Sequence, residues 1–126
     1  MIMGPQSAVI PVALEPTANL ETLHERIGEA ISEVEQGQGV LVLLDLNGGT
    51  PSNATALHFQ NAHMEAVAGV NLPMLLEVLC SRGEKSLGDL AAYAEEIGHQ
   101  GVINVRKALF GPQLEAAQDE VSTGRR

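Results

Sequence analysis

The chain has one cysteine, no tryptophan, one tyrosine and two phenylalanines in 126 residues, and its seven basic residues are outnumbered by sixteen acidic ones. Each scarcity excludes something. A lone Cys80 forms no intrachain disulfide and has no partner for a thiolate metal site, which fits a reducing compartment. With so few aromatics the core must be aliphatic. A formal net charge of -9 argues against a nucleic-acid surface and leaves proteins or small molecules as partners. No apolar run approaches the ~18 residues that span a bilayer, and no leader pattern opens the chain, so a cytoplasmic location is expected.

What is present is a single domain's worth of aliphatic sequence organised around Gly39 to Asn53, GVLVLLDLNGGTPSN. Val40 to Leu44 is uninterrupted and apolar, as in a parallel strand covered on both faces. It ends in Asp45, at the edge where α/β sheets bind ligands. Gly48 and Gly49 permit close backbone approach, Thr50 reads as the cap of the next helix and Pro51 as a first-turn residue. The following helix would offer free N–H groups to an anion such as a phosphoryl group.

Two readings of Asp45 stand side by side. It is either a functional carboxylate or a residue that caps the glycine turn by a local hydrogen bond. The turn is neither a dinucleotide fingerprint nor a P-loop, since it lacks GxGxxG and GK[ST] spacing. His24, His58, His63 and His99 are scattered without metal-ligand spacing, and no serine or cysteine sits in a nucleophile elbow. No metal or cofactor is expected.

In chain order, Met1 to Pro5 reads as the end of a helix and Ala8 to Leu14, AVIPVAL, as an edge strand holding Pro11. Asn19 caps a helix to about Gln36, with Leu20, Leu23, Ile27, Ile31 and Val34 on one face and the glutamates on the other. A helix over roughly residues 52–59 follows the central strand. Met64 to Val70 reads as a strand, Asn71-Leu72-Pro73 as the start of a helix to about Cys80, and Leu87 to Ile97 as another ending at Gly98. Gly101 to Val105, GVINV, reads as a last strand. The expected class is α/β, one domain with a mostly parallel, doubly wound sheet and helices on both faces. Residues 106–126 break the rhythm and read as an acidic tail, with a short helix at Leu114 to Val121.

DLNGGTPSN followed by AVAGVNLPMLLEVL resembles the mannose/fructose-type enzyme IIA of the bacterial phosphoenolpyruvate-dependent sugar phosphotransferase system. The likeness runs from residue 1 to about 105. It implies a phosphocarrier that takes a phosphoryl group from phospho-HPr onto a histidine and passes it to an enzyme IIB for carbohydrate uptake. It further implies that Asp45 orients that histidine, that Thr50 and the loop Leu46, Asn47, Gly48 and Gly49 surround the phosphoryl group, and that Asn71, Pro73 and Met74 line the neighbouring loop.

None of the four histidines matches the family's acceptor. The resemblance places that acceptor in a turn after an N-terminal strand absent here, so that about 20 to 25 residues, a strand-helix unit, are missing. The absent strand would lie between AVIPVAL and VLVLL. A sheet open at its middle borrows a strand or associates, so a homodimer is expected, with Gly101 to Val105 as the strand exchanged. Two rivals are a docking or regulatory module of the same fold, binding HPr, enzyme IIB or a regulator without carrying phosphate, and a small hydrolase using Asp45.

Overall fold

The structure, a computed structural model, describes residues 6–15, 17–60 and 62–111. The helix end at Met1 to Pro5 and the tail helix at Leu114 to Val121 lie outside them.

Helix α1 spans Leu20–Val34, strand β1 Val40–Leu44, α2 Thr50–Ala56, β2 Met64–Ala68, α3 Leu72–Ser81 and α4 Leu87–Gln100. A further helix, α5, covers residues 105–111. β1 and β2 pair in parallel, Val40 opposite Met64 through Leu44 opposite Ala68. The two strands are joined by a crossover through α2, and helices cover both faces. The class is α/β.

Local signals fix most boundaries. The side chain of Asn19 accepts the N–H of Thr22 at 2.8 Å and starts α1. Asn71 does the same for Met74 at 3.0 Å, and Ser86 for Asp89 at 3.3 Å. Gly37 and Gly39 take positive φ between α1 and β1, a conformation open to glycine at little cost. There the Glu35 carboxylate accepts both of their N–H groups, at 2.7 and 3.0 Å.

The sheet separates two aliphatic clusters. On one face Leu23, Ile27 and Ile31 of α1 and Ala54 of α2 pack with Val40, Val42 and Met64. On the other, Met74 and Val78 of α3 and Leu90 and Ala94 of α4 pack with Leu41, Leu43 and Val67. Successive β1 side chains therefore enter opposite clusters, which is why the run is apolar throughout.

Three expectations are corrected. Residues 8–14 form no strand: Pro11 has no N–H to donate, Ala8 sits at a φ of 52°, and a cleft of about 960 Å³ lies between this segment and β1. Gly101 to Val105 is not a strand either. Asn104 accepts the N–H of Lys107 at 3.0 Å through its side chain and that of Ala108 at 2.9 Å through its carbonyl, drawing Val105 into α5. The expected larger sheet is thus a two-stranded one among the described residues. Finally, α4 runs on to Gln100 with Gly98 buried inside it, because Met74 packs where a Cβ on Gly98 would sit.

Candidate functional site

β1 delivers Asp45 to its carboxyl end, where the chain turns through Leu46-Asn47-Gly48-Gly49 into α2. Asp45 is exposed, and among the described residues no hydrogen bond or ion pair engages its carboxylate. The reading in which it caps the glycine turn therefore has no contact behind it. Its carboxylate is available at the mouth of the cleft that runs along β1.

The loop is held by other groups. Ser52 donates its hydroxyl to Asn47 Oδ1 at 3.1 Å, bracing the turn from the first turn of α2. Gly48 has a φ of 89°, where any other residue would be strained. The helix cap is Gly49 rather than Thr50: Gly49 is extended, its carbonyl accepts the N–H of Asn53 at 3.0 Å, and Thr50 is already helical. Leu46 projects into solvent, 67% exposed. Thr55, one turn further, is buried and donates its hydroxyl to the Pro51 carbonyl at 2.8 Å. With seven residues, α2 is too short for a strong axial dipole, so the loop's own N–H groups carry any attraction for an anion.

The neighbouring loop is built for rigidity. Asn71 uses both ends of its amide, capping α3 through Oδ1 and donating Nδ2–H to the carbonyl of Gly98 at 2.9 Å. Pro73 and Met74 fill the spaces above Gly101 and Gly98, so close that a Cβ at either glycine would collide. Asn71, Pro73 and Met74 thereby lock the start of α3 onto the end of α4, and so fix the segment entering from β2.

The histidines are arranged for packing. His24 and His58 stack with centroids 4.1 Å apart and rings 11° from parallel, and His58 Nε2–H donates to the His24 carbonyl at 2.8 Å. His63 lies at the opposite end of β1 from Asp45, its ring beside Gly39. His99 is exposed near the end of α4. No group of three metal-ligating side chains gathers among the described residues, and none of their helices is long and apolar enough to cross a membrane. Sequence reasoning missed Ser52 as the brace of the loop. It also missed the His24–His58 stack, whose partners are 34 residues apart and leave no local pattern.

An α/β domain with a free carboxylate and a glycine turn at the carboxyl end of a parallel strand is a scaffold for anion chemistry. Comparison with known proteins narrows this. Residues 1–95 match the family model described as the PTS system fructose IIA component, and the chain belongs to that family. It is 38% identical over 119 residues to the PTS system mannose-specific EIIAB component of Escherichia coli, covering 93% of this chain and 36% of that protein. It is 40% identical over 91 residues to the PTS system fructose-specific EIIA component of Bacillus subtilis, covering 71% of this chain and 62% of the relative. The chain thus spans about a third of the first relative and under two thirds of the second.

Solved structures agree on the fold. The EIIA component from Streptococcus agalactiae superposes with a TM-score of 0.76 at 25% identity, over 84% of this chain and 82% of that one. The mannose/sorbose-specific IIA subunit from Enterococcus faecalis gives 0.68 at 30% identity, over 74% and 70%.

Proposed function

We propose that the chain serves as a phosphocarrier domain of a bacterial sugar phosphotransferase system, in the cytoplasm, receiving a phosphoryl group from phospho-HPr and handing it to an enzyme IIB. The observation that carries the reading is Asp45: a carboxylate at the end of β1, free of protein partners, beside a loop whose Gly48 and Gly49 leave backbone N–H groups accessible. Such a carboxylate suits the orienting of an imidazole, since it fixes the tautomer and supports the cation formed during transfer. Thr50 and the loop Leu46 to Gly49 surround the phosphoryl group. The membrane enters only through the sugar permease that enzyme IIB serves.

No histidine among the described residues is hydrogen-bonded to Asp45. The acceptor imidazole in this reading comes from outside them and docks on Asp45. The same observation favours a second reading, in which the domain binds HPr, enzyme IIB or a regulator without carrying phosphate. The two separate by phosphoryl transfer from phospho-HPr to a version carrying a histidine-bearing segment ahead of residue 1. Transfer that falls in Asp45→Ala supports the carrier. Transfer indifferent to that substitution removes Asp45 from the mechanism.

A further inference from the structure

The bond between Ser52 and Asn47 has no task yet in phosphoryl transfer. Ser52 sits half-buried in the first turn of α2 and donates its hydroxyl to Asn47 Oδ1 at 3.1 Å. A carboxamide is planar, with its oxygen and its NH2 on opposite sides of the carbon that bears them. Fixing Oδ1 on Ser52 therefore turns Nδ2 away from the helix, and among the described residues nothing accepts from it. Asn47 itself is exposed, and the loop continues into Gly48 at a φ of 89°.

Charge gives such a donor weight. Three basic residues precede α5, and each is committed elsewhere. Arg26 donates to the Ala13 carbonyl at 3.0 Å and pairs with Glu15 at 3.7 Å, Arg82 donates to the Ser7 carbonyl at 2.7 Å, and the Lys85 ammonium lies 4.6 Å from the centre of the Tyr93 ring. Asp45, two residues before Asn47, has a carboxylate that accepts and does not donate. Ahead of α5, a phosphoryl group brought beside it therefore meets neutral donors: the N–H groups of the loop and Asn47 Nδ2–H. Neutral donors hold an anion by direction rather than by net charge, so whatever fixes their orientation decides how much they stabilise.

We infer that Ser52 is a positioning residue for phosphoryl transfer, holding the Asn47 carboxamide so that Nδ2–H donates to an oxygen of the transferring phosphoryl group. The role rests on the phosphocarrier reading. During transfer the bond from phosphorus to its donor atom on phospho-HPr breaks, the electron pair stays on that atom, and the lone pair of the acceptor imidazole nitrogen forms the new P–N bond. The other imidazole nitrogen keeps its proton toward Asp45. The carboxamide of Asn47 gains and loses no proton; it meets the negative charge on the phosphoryl oxygens. Asp45 thus accepts from the imidazole while Asn47 donates to the group that the imidazole receives.

Ser52 acts only through Asn47, which sets it apart from a residue of the scaffold. Asn47→Ala removes a hydrogen bond to a charged group and should lower the maximal rate of transfer about tenfold. Ser52→Ala leaves the donor in place but frees its side chain among three staggered wells, one of them productive, and should lower that rate about threefold. Ser52→Thr keeps a hydroxyl at the same position and so keeps Asn47 oriented.

The test is single-turnover transfer from phospho-HPr to the histidine-bearing version, comparing the parent with Ser52→Ala, Ser52→Thr, Asn47→Ala and the double variant Ser52→Ala/Asn47→Ala, each also unfolded in urea. The maximal rate falls in Ser52→Ala and Asn47→Ala while the phospho-HPr concentration giving half of it stays within about twofold of the parent's. Ser52→Thr recovers the rate lost in Ser52→Ala, and Ser52→Ala costs nothing further once Asn47 is alanine. The role is overturned if Ser52→Ala matches the parent, if Ser52→Thr is as slow as Ser52→Ala, if Ser52→Ala costs the same in both backgrounds, or if the rates follow the urea midpoints. A parent that takes up no phosphoryl group overturns the carrier reading and this role together, whereas a parent that does, with Ser52→Ala indifferent, removes Ser52 alone.

Discussion

The imidazole of His58 stands where a side chain on Gly28 would have to go: a Cβ there would lie 2.9 Å from His58 Cε1. The ring has little freedom to retreat, being stacked on His24 and bonded to its carbonyl. In a free helix Gly28→Ala would gain about 1 kcal/mol of propensity. Here the overlap costs about 1–3 kcal/mol, so the substitution is expected to destabilise by about 1 kcal/mol in urea unfolding. In a His58→Ala background the same change becomes stabilising by about 1 kcal/mol. A sign that does not reverse would show that His58 is not what holds α1 to α2 at this point.

Asn71 does two jobs with one side chain. Asn71→Ala removes the α3 cap, about 1 kcal/mol, and the bond to the Gly98 carbonyl, about 1 kcal/mol more. Asn71→Ser retains a capping oxygen and loses only the second. Chemical denaturation should place the two variants about 2 and about 1 kcal/mol below the parent. Equal losses would mean that the link to α4 contributes nothing.

The turn between α1 and β1 carries a pH dependence. The N–H groups of Gly39, first, and Gly37 hold the Glu35 carboxyl below its ordinary 4.5. A group whose pKa is depressed by folding stabilises the fold above its unfolded value, and that contribution disappears as pH falls through the folded one. Parent and Glu35→Gln should therefore differ in thermal stability at neutral pH and converge as pH drops below about 4.5. A difference constant down to strongly acid pH would mean that the carboxylate's charge is irrelevant to the turn.

Asp45 is exposed and engages no described group, so Asp45→Ala is expected to change stability by less than about 0.5 kcal/mol. In a histidine-bearing version, phosphoryl transfer should fall about a hundredfold or more, because an imidazole no longer oriented misses its attack geometry. Paired unfolding and transfer measurements separate function from folding. A large stability loss would reassign Asp45 to the scaffold.

Elements governed by local rules were legible in the sequence. Asn19 and Asn71 cap helices as their side chains suggest, Leu23, Ile27 and Ile31 meet the core at helical spacing, and Val40 to Leu44 is covered on both faces. The two apolar stretches that do not pair, AVIPVAL and GVINV, have strand composition but no neighbour within reach. Strand formation requires a partner that composition does not encode. At the site, Asp45 and the glycine turn stood out, whereas the Ser52–Asn47 brace did not. The Asn71 link spans 27 residues, and only folding brings its ends together.

The carrier role of this domain is decided by incubation with phosphoenolpyruvate, enzyme I and HPr, followed by intact-mass analysis of this chain and of one extended upstream through a histidine. One added phosphoryl group is expected on the extended chain and none on this one. Addition to neither would contradict the carrier role and leave a docking module, and addition to this chain would show that His24, His58, His63 or His99 is the true acceptor.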